Sequence, residues 1–274
     1  MVLARLPLRR FLVLVSATVV AACGSSREPG ATGDASPNTE APAGHVVRGS
    51  VVDLDGAPVV NIYVTVSTDF CIPDRTAPTG TFAVRDVRAG GSKRLIAYGP
   101  TASGGPYASL AFAFAGADSG DVDFPNPIVT PRLVNPLPYD ASATMPQRLA
   151  TADDFAITLR AEDLRVEGFG DPKLFAIRVP IEKAPPFGDP LSRLHVLYVV
   201  EPLQSTLARP AKIEMPNPKG LAAGARVDFF KLDYLRGVLV PAAKGFVRDD
   251  GIIVSDDDSG VTELTWLGFA PAGA

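Results

Sequence analysis

The sequence predicts an all-β protein of two β-sandwich modules, and three observations predict this fold class. The 274 residues include 26 Pro and 25 Gly, which interrupt nearly every stretch long enough for three helical turns. Several short segments alternate apolar with polar residues, as strands with one buried face do. A proline-rich stretch separates two groups of such segments. The folded part is expected to run from about His45 to Ala274.

The first 22 residues have the organisation of a secretory signal peptide. Arg5, Arg9 and Arg10 precede a run of apolar or small residues from Phe11 to Ala22. This run is shorter than the roughly 20 apolar residues that a membrane-spanning helix needs, and small residues at its end are typical of a cleavage site. Residues 23–44 are rich in Gly, Ser, Pro, Ala and Thr and contain no large apolar residue. We therefore expect them to form a disordered tether.

The residues Val20, Ala21, Ala22 and Cys23 resemble the lipobox of bacterial lipoproteins, in which an aliphatic residue and two small residues precede an obligatory cysteine. The resemblance implies that Cys23 becomes the first residue of the mature chain, with a diacylglycerol thioether on its sulfur and an acylated amine. Several acyl chains attach a protein firmly, where a single chain gives only marginal binding. Gly24, in place of Asp, implies the default export of Gram-negative lipoproteins to the outer membrane. The alternative is an ordinary cleavage site beside a chance cysteine.

Lipidation of Cys23 excludes an intramolecular disulfide, because the chain has only two cysteines. The second, Cys71, lies between Phe70 and Ile72 and has no histidine near it in the sequence. We interpret Cys71 as a partly buried small hydrophobic side chain and not as a nucleophile.

The charge of the chain argues against a nucleic-acid partner. The whole sequence has 26 Lys and Arg and 30 Asp and Glu. Removal of residues 1–22 takes away three arginines and leaves 23 basic and 30 acidic side chains, a net charge of −7. Phosphate contacts need clustered lysine and arginine side chains, which this sequence lacks.

Residues 45–124 are predicted to form the first module. The segment "VVRGSVVDLDGAPVVNIYVTVS" predicts two strands around Asp55-Gly56, a dipeptide suited to positive φ in a tight turn. The residues that should share the buried face of the second strand are Ile62, Val64 and Val66, with Asn61, Tyr63, Thr65 and Ser67 on the other face. The segment "TGTFAVRDVRAGGSKRLIAYG" predicts a further strand, a Gly-Gly turn and another strand.

These stretches together resemble the carboxypeptidase regulatory-like domain, a seven-stranded sandwich of the transthyretin type. The residues that carry the resemblance are Gly49, Asp53, Gly56, Pro58, Thr79 to Phe82 and Gly91 to Ala97. The resemblance implies an accessory module and not a peptidase.

The histidines do not form a catalytic or zinc motif. The sequence contains only His45 and His195, and neither lies in an H-x-x-E or H-E-x-x-H pattern. We interpret both as structural residues. The sequence also lacks a G-x-S-x-G motif. We therefore predict no catalytic residue, no cofactor and no metal site.

The second module is predicted at residues 147–274, after a proline-rich linker at residues 125–146. Prolines remove backbone donors, so we expect the modules to fold separately on either side of the linker. Apolar residues alternate again at Phe155, Ile157 and Leu159, at Phe175, Ile177, Val179 and Ile181, and at Ala225, Val227 and Phe229. The segment "LHVLYVV", residues 194–200, is apolar on both faces and predicts a central strand. Residues 147–167 contain no Pro or Gly and fit a helix as an alternative.

The second module resembles the ZU5-like or Ig-like sandwich of surface proteins in myxobacteria and their relatives. The matching segments are Ala156 to Leu159, Arg209 to Asn217, Leu221 to Phe229 and Val247 to Phe269. The resemblance implies that Trp266, the only tryptophan, is a core residue of the last strand.

Two acidic clusters, residues 118–123 and residues 256–260, contain carboxylates of the kind that calcium binds. Neither cluster matches an EF-hand loop, so we interpret both as solvated turn charges.

These features predict a non-catalytic cell-envelope protein, anchored in the bacterial outer membrane through lipidated Cys23, with a structural or adhesive role. Its partner would be an envelope protein or an extracellular polymer, on either the periplasmic or the exterior side. The alternative function is binding of a glycan or a small molecule. Clustered exposed aromatic residues would favour that alternative, and six Tyr with one Trp offer little for it. The functional prediction comes largely from analogy of fold.

Overall fold

The structure is a computed structural model that describes residues 44–68, 71–88, 92–98, 106–116, 120–166, 173–257 and 259–273. All of these residues belong to one compact unit, Pro37–Ala274. The described residues form nineteen strands and three short 3₁₀ helices and contain no α-helix, which confirms the all-β fold class. The 3₁₀ helices are Ala161–Asp163, Ile181–Lys183 and Asp189–Arg193.

The first eight strands form two sheets that share one core. The strands are β1 (His45–Val52), β2 (Tyr63–Ser67), β3 (Cys71–Arg75), β4 (Thr81–Val87), β5 (Lys93–Tyr98), β6 (Leu110–Phe114), β7 (Val122–Asp123) and β8 (Ile128–Val129). One sheet has the order β4-β1-β7, with β8 also paired to β1, and the other has the order β3-β2-β5-β6. Val47 of the first sheet and Val64 and Phe112 of the second are fully buried in this first core.

The tight turn predicted at Asp55-Gly56 is present. The carboxylate of Asp53 accepts hydrogen bonds from the backbone N–H groups of Asp55 (3.0 Å) and Ala57 (2.9 Å). Gly56 has φ +83°, a backbone conformation that glycine adopts without a steric cost.

The remaining eleven strands form one sheet that curls around a second core. The strands are β9 (Gln147–Ala150), β10 (Ala156–Leu159), β11 (Leu164–Arg165), β12 (Phe175–Arg178), β13 (Val196–Glu201), β14 (Thr206–Met215), β15 (Arg226–Asp233), β16 (Val238–Val247), β17 (Ile253–Ser255), β18 (Val261–Glu263) and β19 (Trp266–Pro271). The sheet order is β12-β13-β19-β15-β16-β17-β14-β10-β9, with β11 and β18 also paired to β14. Ile157 of β10 and Val196 of β13, from opposite ends of this order, meet in the second core.

The strand β13 is buried on both faces, which confirms the central strand predicted from "LHVLYVV". Tyr198 and Val200 lie in the second core, whereas Leu197 and Val199 belong to the first core. The two modules therefore share a hydrophobic core. The domain boundaries stay a prediction. We call the contact region around Leu197, Glu201 and Trp266 the joint.

Trp266 lies within the joint. Its side chain is fully buried, which confirms the prediction of a core residue. Its ring lies edge-on to Phe187, with 5.0 Å between the ring centres. The indole Nε1 donates a 2.9 Å hydrogen bond to the carbonyl oxygen of Ser109 in the first module. The polar atom of a buried tryptophan needs such a partner, and here the partner lies across the joint.

The hairpin of β15 and β16 also reaches the first module. Its turn lies on the outer face of the β3-β2-β5-β6 sheet, where Tyr234 packs with Ile96 and Ala111. The backbone N–H of Ala113 donates a 3.0 Å hydrogen bond to the carbonyl oxygen of Gly237. These contacts attach the hairpin to β6.

The same contacts explain why β2 is buried on both faces. Alternation predicts one buried face, but Ser67 on the other face is 5% exposed. Arg94 of β5 donates hydrogen bonds to the Ser67 hydroxyl (3.2 Å) and to the carbonyl oxygen of Tyr234 (2.8 Å). The arginine thereby links this face of the sheet to the hairpin that covers it.

The proline-rich stretch at residues 125–146 is packed into the fold. Ile128–Val129 forms β8 beside β1, and the backbone N–H of Ala108 donates to the carbonyl oxygen of Pro131. Leu137 is buried in the second core. The stretch is extended, as predicted, and it contacts both modules along its length.

Two segments of the second module differ from what the sequence pattern alone suggests for their secondary structure. The described part of residues 147–167 contains no α-helix, because β9 and β10 pair antiparallel there. The strand that begins at Phe175 ends at Arg178, although the apolar alternation continues to Ile181. Pro180 cannot donate to a strand partner, and a 3₁₀ helix begins directly after it.

Candidate functional site

The predicted lipidation residue, Cys23, lies outside the described residues. Cys71 of β3 is half-buried and disulfide-bonded, with its Sγ 3.8 Å from the Oγ of Ser67. A sulfur that carries a thioether cannot also form a disulfide. Lipidation of Cys23 and a bond between the two cysteines of this chain are therefore alternatives. No helix among the described residues has the length and apolar character needed to span a membrane.

Neither histidine hydrogen-bonds a nucleophile or a carboxylate in the described part of the chain. His45 begins β1, and His195 directly precedes β13. Burial and the charge of Lys219 lower the pKa of His195, whose ring lies edge-on to Phe269 at 5.7 Å. Within the described ranges, no group of three or more His, Cys, Asp or Glu side chains is arranged to hold a metal ion.

The described carboxylates of the acidic clusters bind cations of the chain itself. The ion pairs are Arg48 with Asp121 (2.9 Å) and Asp123 (3.6 Å), Arg226 with Asp256 (2.5 Å), and Lys212 with Asp257 (2.8 Å). The backbone N–H of Val46 and the guanidinium of Arg48 lower the pKa of Asp121. These ion pairs fit the interpretation of turn charges better than that of a calcium site.

Three stacked side chains cross the outer face of the β3-β2-β5-β6 sheet. Arg75, Tyr63 and Tyr98 are direct partners on the neighbouring strands β3, β2 and β5. The guanidinium carbon of Arg75 lies 3.9 Å from the centre of the Tyr63 ring. The rings of Tyr63 and Tyr98 stack with 5.3 Å between their centres and 17° between their planes. We call these three residues the aromatic row.

Polar groups occupy one end of the aromatic row, and an exposed ring occupies the other. Arg75 donates hydrogen bonds to the Oδ1 of Asn61 (2.8 Å) and to the hydroxyl of Tyr63. A guanidinium has five N–H donors, so Arg75 keeps donors for a ligand. At the opposite end, Tyr98 is 36% exposed.

Arg75 also borders an open groove between the two sheets of the first module. The groove is lined by residues that include Arg48, Gly49, Asp74, Phe82 and Phe124. Arg75 therefore belongs both to the aromatic row and to the lining of the groove, whose carboxylates are those of Asp74 and Asp123. An aromatic face suits the apolar side of a flat ligand, and the polar groups can hydrogen-bond its hydroxyls.

Sequence reasoning did not find the aromatic row. Tyr63 and Tyr98 are 35 positions apart, and two further strands lie between them in the chain. Their contact depends on the register of β2 with β5, which a pattern of alternating residues does not determine. The available signal was weak: one outward-facing tyrosine near the end of each of two predicted strands.

A buried carboxyl group lies at the joint. Glu201, the last residue of β13, is 6% exposed. Its Oε1 accepts a 2.5 Å hydrogen bond from the backbone N–H of Ser109, and its Oε2 accepts a 2.6 Å bond from that of Leu203. Burial raises the pKa of Glu201 to about 7, although both N–H groups lower it. The sequence signal was a glutamate at the end of an otherwise apolar strand.

No protein-family model and no curated protein matches this chain. Among solved structures, the chain is similar to the crystal structure of a DUF3823 family protein from Parabacteroides merdae. The two share 10% sequence identity, and the match covers 81% of this chain and 100% of that chain with a TM-score of 0.24.

Proposed function

We propose that this chain is a non-catalytic lipoprotein of the bacterial outer membrane with a structural or adhesive role. The lipobox-like residues Val20 to Cys23, followed by a tether-like composition, support the anchor. The observation that best supports this role is the joint, where residues of both modules lie together in the first core. A unit of fixed shape behind a tether presents its surface in a defined way to an envelope protein or an extracellular polymer.

The two modules are proposed to be a carboxypeptidase regulatory-like sandwich and a ZU5-like or Ig-like sandwich. Two sheets around one core in residues 45–129 support the first assignment. The eleven-stranded sheet that curls around the second core supports the other.

The anchor is tested by the substitution Cys23→Ala in cells labelled with radioactive palmitate. The variant should lose the label and leave the membrane fraction. The matched control is Cys71→Ala, which should keep both the label and the membrane association. A Cys23→Ala protein that still carries label, or that stays in the membrane fraction, would show that the lipobox assignment is wrong.

The structural or adhesive role is tested by crosslinking intact cells and capturing the protein through a tag at its C-terminus. An envelope protein or polymer should be recovered with the wild-type chain and lost with Cys23→Ala, which removes the chain from its proposed location. Capture of the same molecule by both forms would argue against a role that depends on anchoring. Recovery of no molecule above the untagged background would contradict the role.

The aromatic row supports a second candidate function, the binding of a glycan. Its exposed ring, Tyr98, suits the apolar face of a pyranose, and Arg75 and Asn61 supply hydrogen-bond donors and acceptors for sugar hydroxyls. A glycan array should identify saccharides that bind the wild-type chain, and titration calorimetry should show at least about tenfold weaker binding to Tyr98→Ala. The control is Met145→Ala, at a site that is 70% exposed. A wild-type chain that binds no saccharide would eliminate this candidate.

A further inference from the structure

We propose that Glu201 makes the joint between the two modules sensitive to pH: its neutral carboxyl group favours the closed joint, and its ionisation favours opening. The inference concerns the joint alone and does not depend on the proposed anchor or ligand.

The geometry places the carboxyl group between the modules. Oε1 of Glu201 accepts the backbone N–H of Ser109 in the first module, and Oε2 accepts the backbone N–H of Leu203 in the second. The carbonyl oxygen of the same Ser109 accepts the indole N–H of Trp266. The hydrogen bonds that Glu201 and Trp266 make with the first module therefore both involve the same residue, Ser109, inside an apolar region.

Among the residues that the structure describes, no cation binds the carboxylate of Glu201. The residue paired with it in β12 is Phe175. Thr265, which directly precedes β19, and Trp266 of β19 lie beside the same end of β13. On the hairpin side, the titratable group that faces Glu201 is Tyr234, with Tyr98 and Arg94 around it. Burial raises the pKa of Tyr234, so its phenol stays neutral.

The nearby guanidinium is engaged elsewhere. Arg94 binds the carbonyl oxygen of Tyr234 and the hydroxyl of Ser67. In the described part of the chain, no lysine, arginine or histidine is hydrogen-bonded or ion-paired to Glu201. A carboxylate in this position therefore has only two backbone donors and the Ser109 side chain to compensate for lost hydration.

The direction of the pH effect follows from proton linkage. The closed joint holds the proton of Glu201 up to a pH of about 7, whereas a hydrated glutamate loses it near 4.5. The stability that the neutral carboxyl group gives to the closed joint is therefore fully present below pH 4.5. It is lost as the pH rises to about 7. Across this window the opening equilibrium constant should rise about tenfold per pH unit, roughly 300-fold in all, and then level off.

The test uses the only tryptophan of the chain, because Trp266 lies in the joint. Urea unfolding of the wild type, Glu201→Gln and Glu182→Gln is followed by tryptophan fluorescence between pH 4.5 and pH 8. Relative to Glu201→Gln, the unfolding constant of the wild type should rise about 300-fold up to pH 7. Glu182 is exposed and serves as the matched control, so its variant should follow the wild type. Equal pH profiles for the wild type and Glu201→Gln would overturn the proposal.

A second measurement needs no variant and covers the case in which Glu201→Gln does not fold. The carboxyl carbons of ¹³C-labelled glutamate are titrated by NMR in the native wild-type protein. One glutamate should titrate with a midpoint near 7, because burial raises the pKa of Glu201. The proposal fails if every glutamate titrates close to its ordinary range.

Discussion

The indole Nε1 of Trp266 donates a hydrogen bond to the carbonyl oxygen of Ser109, which lies 157 residues earlier in the chain. Donor and acceptor belong to different modules, and the indole is fully buried against Phe187. A buried polar group that loses its partner costs about 1–3 kcal/mol. The bond therefore favours one arrangement of the two modules over others that bury the same apolar surface.

Replacement of this tryptophan should destabilise the whole protein. Trp266→Phe leaves the carbonyl oxygen of Ser109 without its partner and creates a cavity, so the free energy of unfolding should fall by about 2–5 kcal/mol. Urea titration followed by far-UV circular dichroism measures this loss. The control Leu235→Ala, at an exposed site, should change it by less than about 0.5 kcal/mol. A Trp266→Phe variant as stable as the control would mean that the joint contributes little.

The shared core predicts that residues 44–274 unfold in one transition. Opening of either module exposes apolar residues of β13 and β19 that belong to the first core. Thermal unfolding monitored by circular dichroism and by tryptophan fluorescence should therefore give coincident midpoints. Two separated transitions would support the independently folding modules that the proline-rich stretch predicts from sequence.

Gly237, in the turn of the β15–β16 hairpin, and Gly224, which precedes β15, form a matched pair. Gly237 and Gly224 both have positive φ, at +66° and +77°. A Cβ at Gly237 would lie 2.4 Å from the backbone nitrogen of Ala113 and 2.6 Å from the carbonyl carbon of Phe112, whereas one at Gly224 meets nothing within 4 Å. Gly224→Ala should therefore cost only the backbone strain, about 1–2 kcal/mol. Gly237→Ala should lower the free energy of unfolding, measured by urea titration, by about 1–3 kcal/mol more than Gly224→Ala does. Equal losses for the two variants would show that the turn is not in close contact with β6.

An ion pair on the second module predicts a loss of stability in acid. Arg148 donates from Nε and Nη2 to the two carboxylate oxygens of Glu214, at 3.0 and 2.9 Å, and lowers the pKa of that carboxyl group. A lowered pKa gives stability that is present above the ordinary value of 4.5 and lost as the pH falls through the value in the folded protein. Arg148 is about half exposed, so Arg148→Ala should cost only about 1 kcal/mol at pH 7.

The pH dependence distinguishes this ion pair from simple loss of packing. The stability deficit of Arg148→Ala should shrink below pH 4.5 in a series of urea titrations. Arg160→Ala is the control, because its contact with Glu162 spans 3.9 Å between two exposed side chains. A deficit of constant size at every pH would contradict the assignment to charge.

Lipidation of Cys23 and a disulfide between Cys23 and Cys71 exclude each other, because both use the sulfur of Cys23. Protein extracted from membranes should yield an N-terminal peptide with lipid on Cys23 and no disulfide to Cys71, as measured by mass spectrometry without reduction. A version of the chain that begins after Cys23 should unfold at the same urea concentration with and without reductant. An abundant Cys23–Cys71 peptide in the membrane fraction would contradict lipidation of Cys23.

The alternation of apolar residues predicted the fold class and many of the strands, because a half-buried strand repeats every two residues. It also predicted that β13 is central, since both of its faces are apolar, and that Trp266 is buried. It did not predict what covers each face. Ser67 is buried because Arg94 and the β15–β16 hairpin lie over it, and that contact joins residues far apart in the sequence.

The candidate sites were harder to predict than the strands. Tyr63 and Tyr98 form a row only because β2 and β5 pair in one particular register. Glu201 becomes a buried carboxyl group only because Ser109 approaches from the other module. Both sites depend on contacts between distant segments, for which one sequence contains no direct signal.

The first and the last strand are both interior strands of their sheets. β1 lies between β4 on one side and β7 and β8 on the other, and β19 lies between β13 and β15. A pulling force applied at Gly44 acts along β1 and loads the backbone hydrogen bonds on both of its sides together, in shear. An edge strand would instead peel away one bond at a time. The fold thus resists mechanical extension at the end of the chain where the proposed tether would pull.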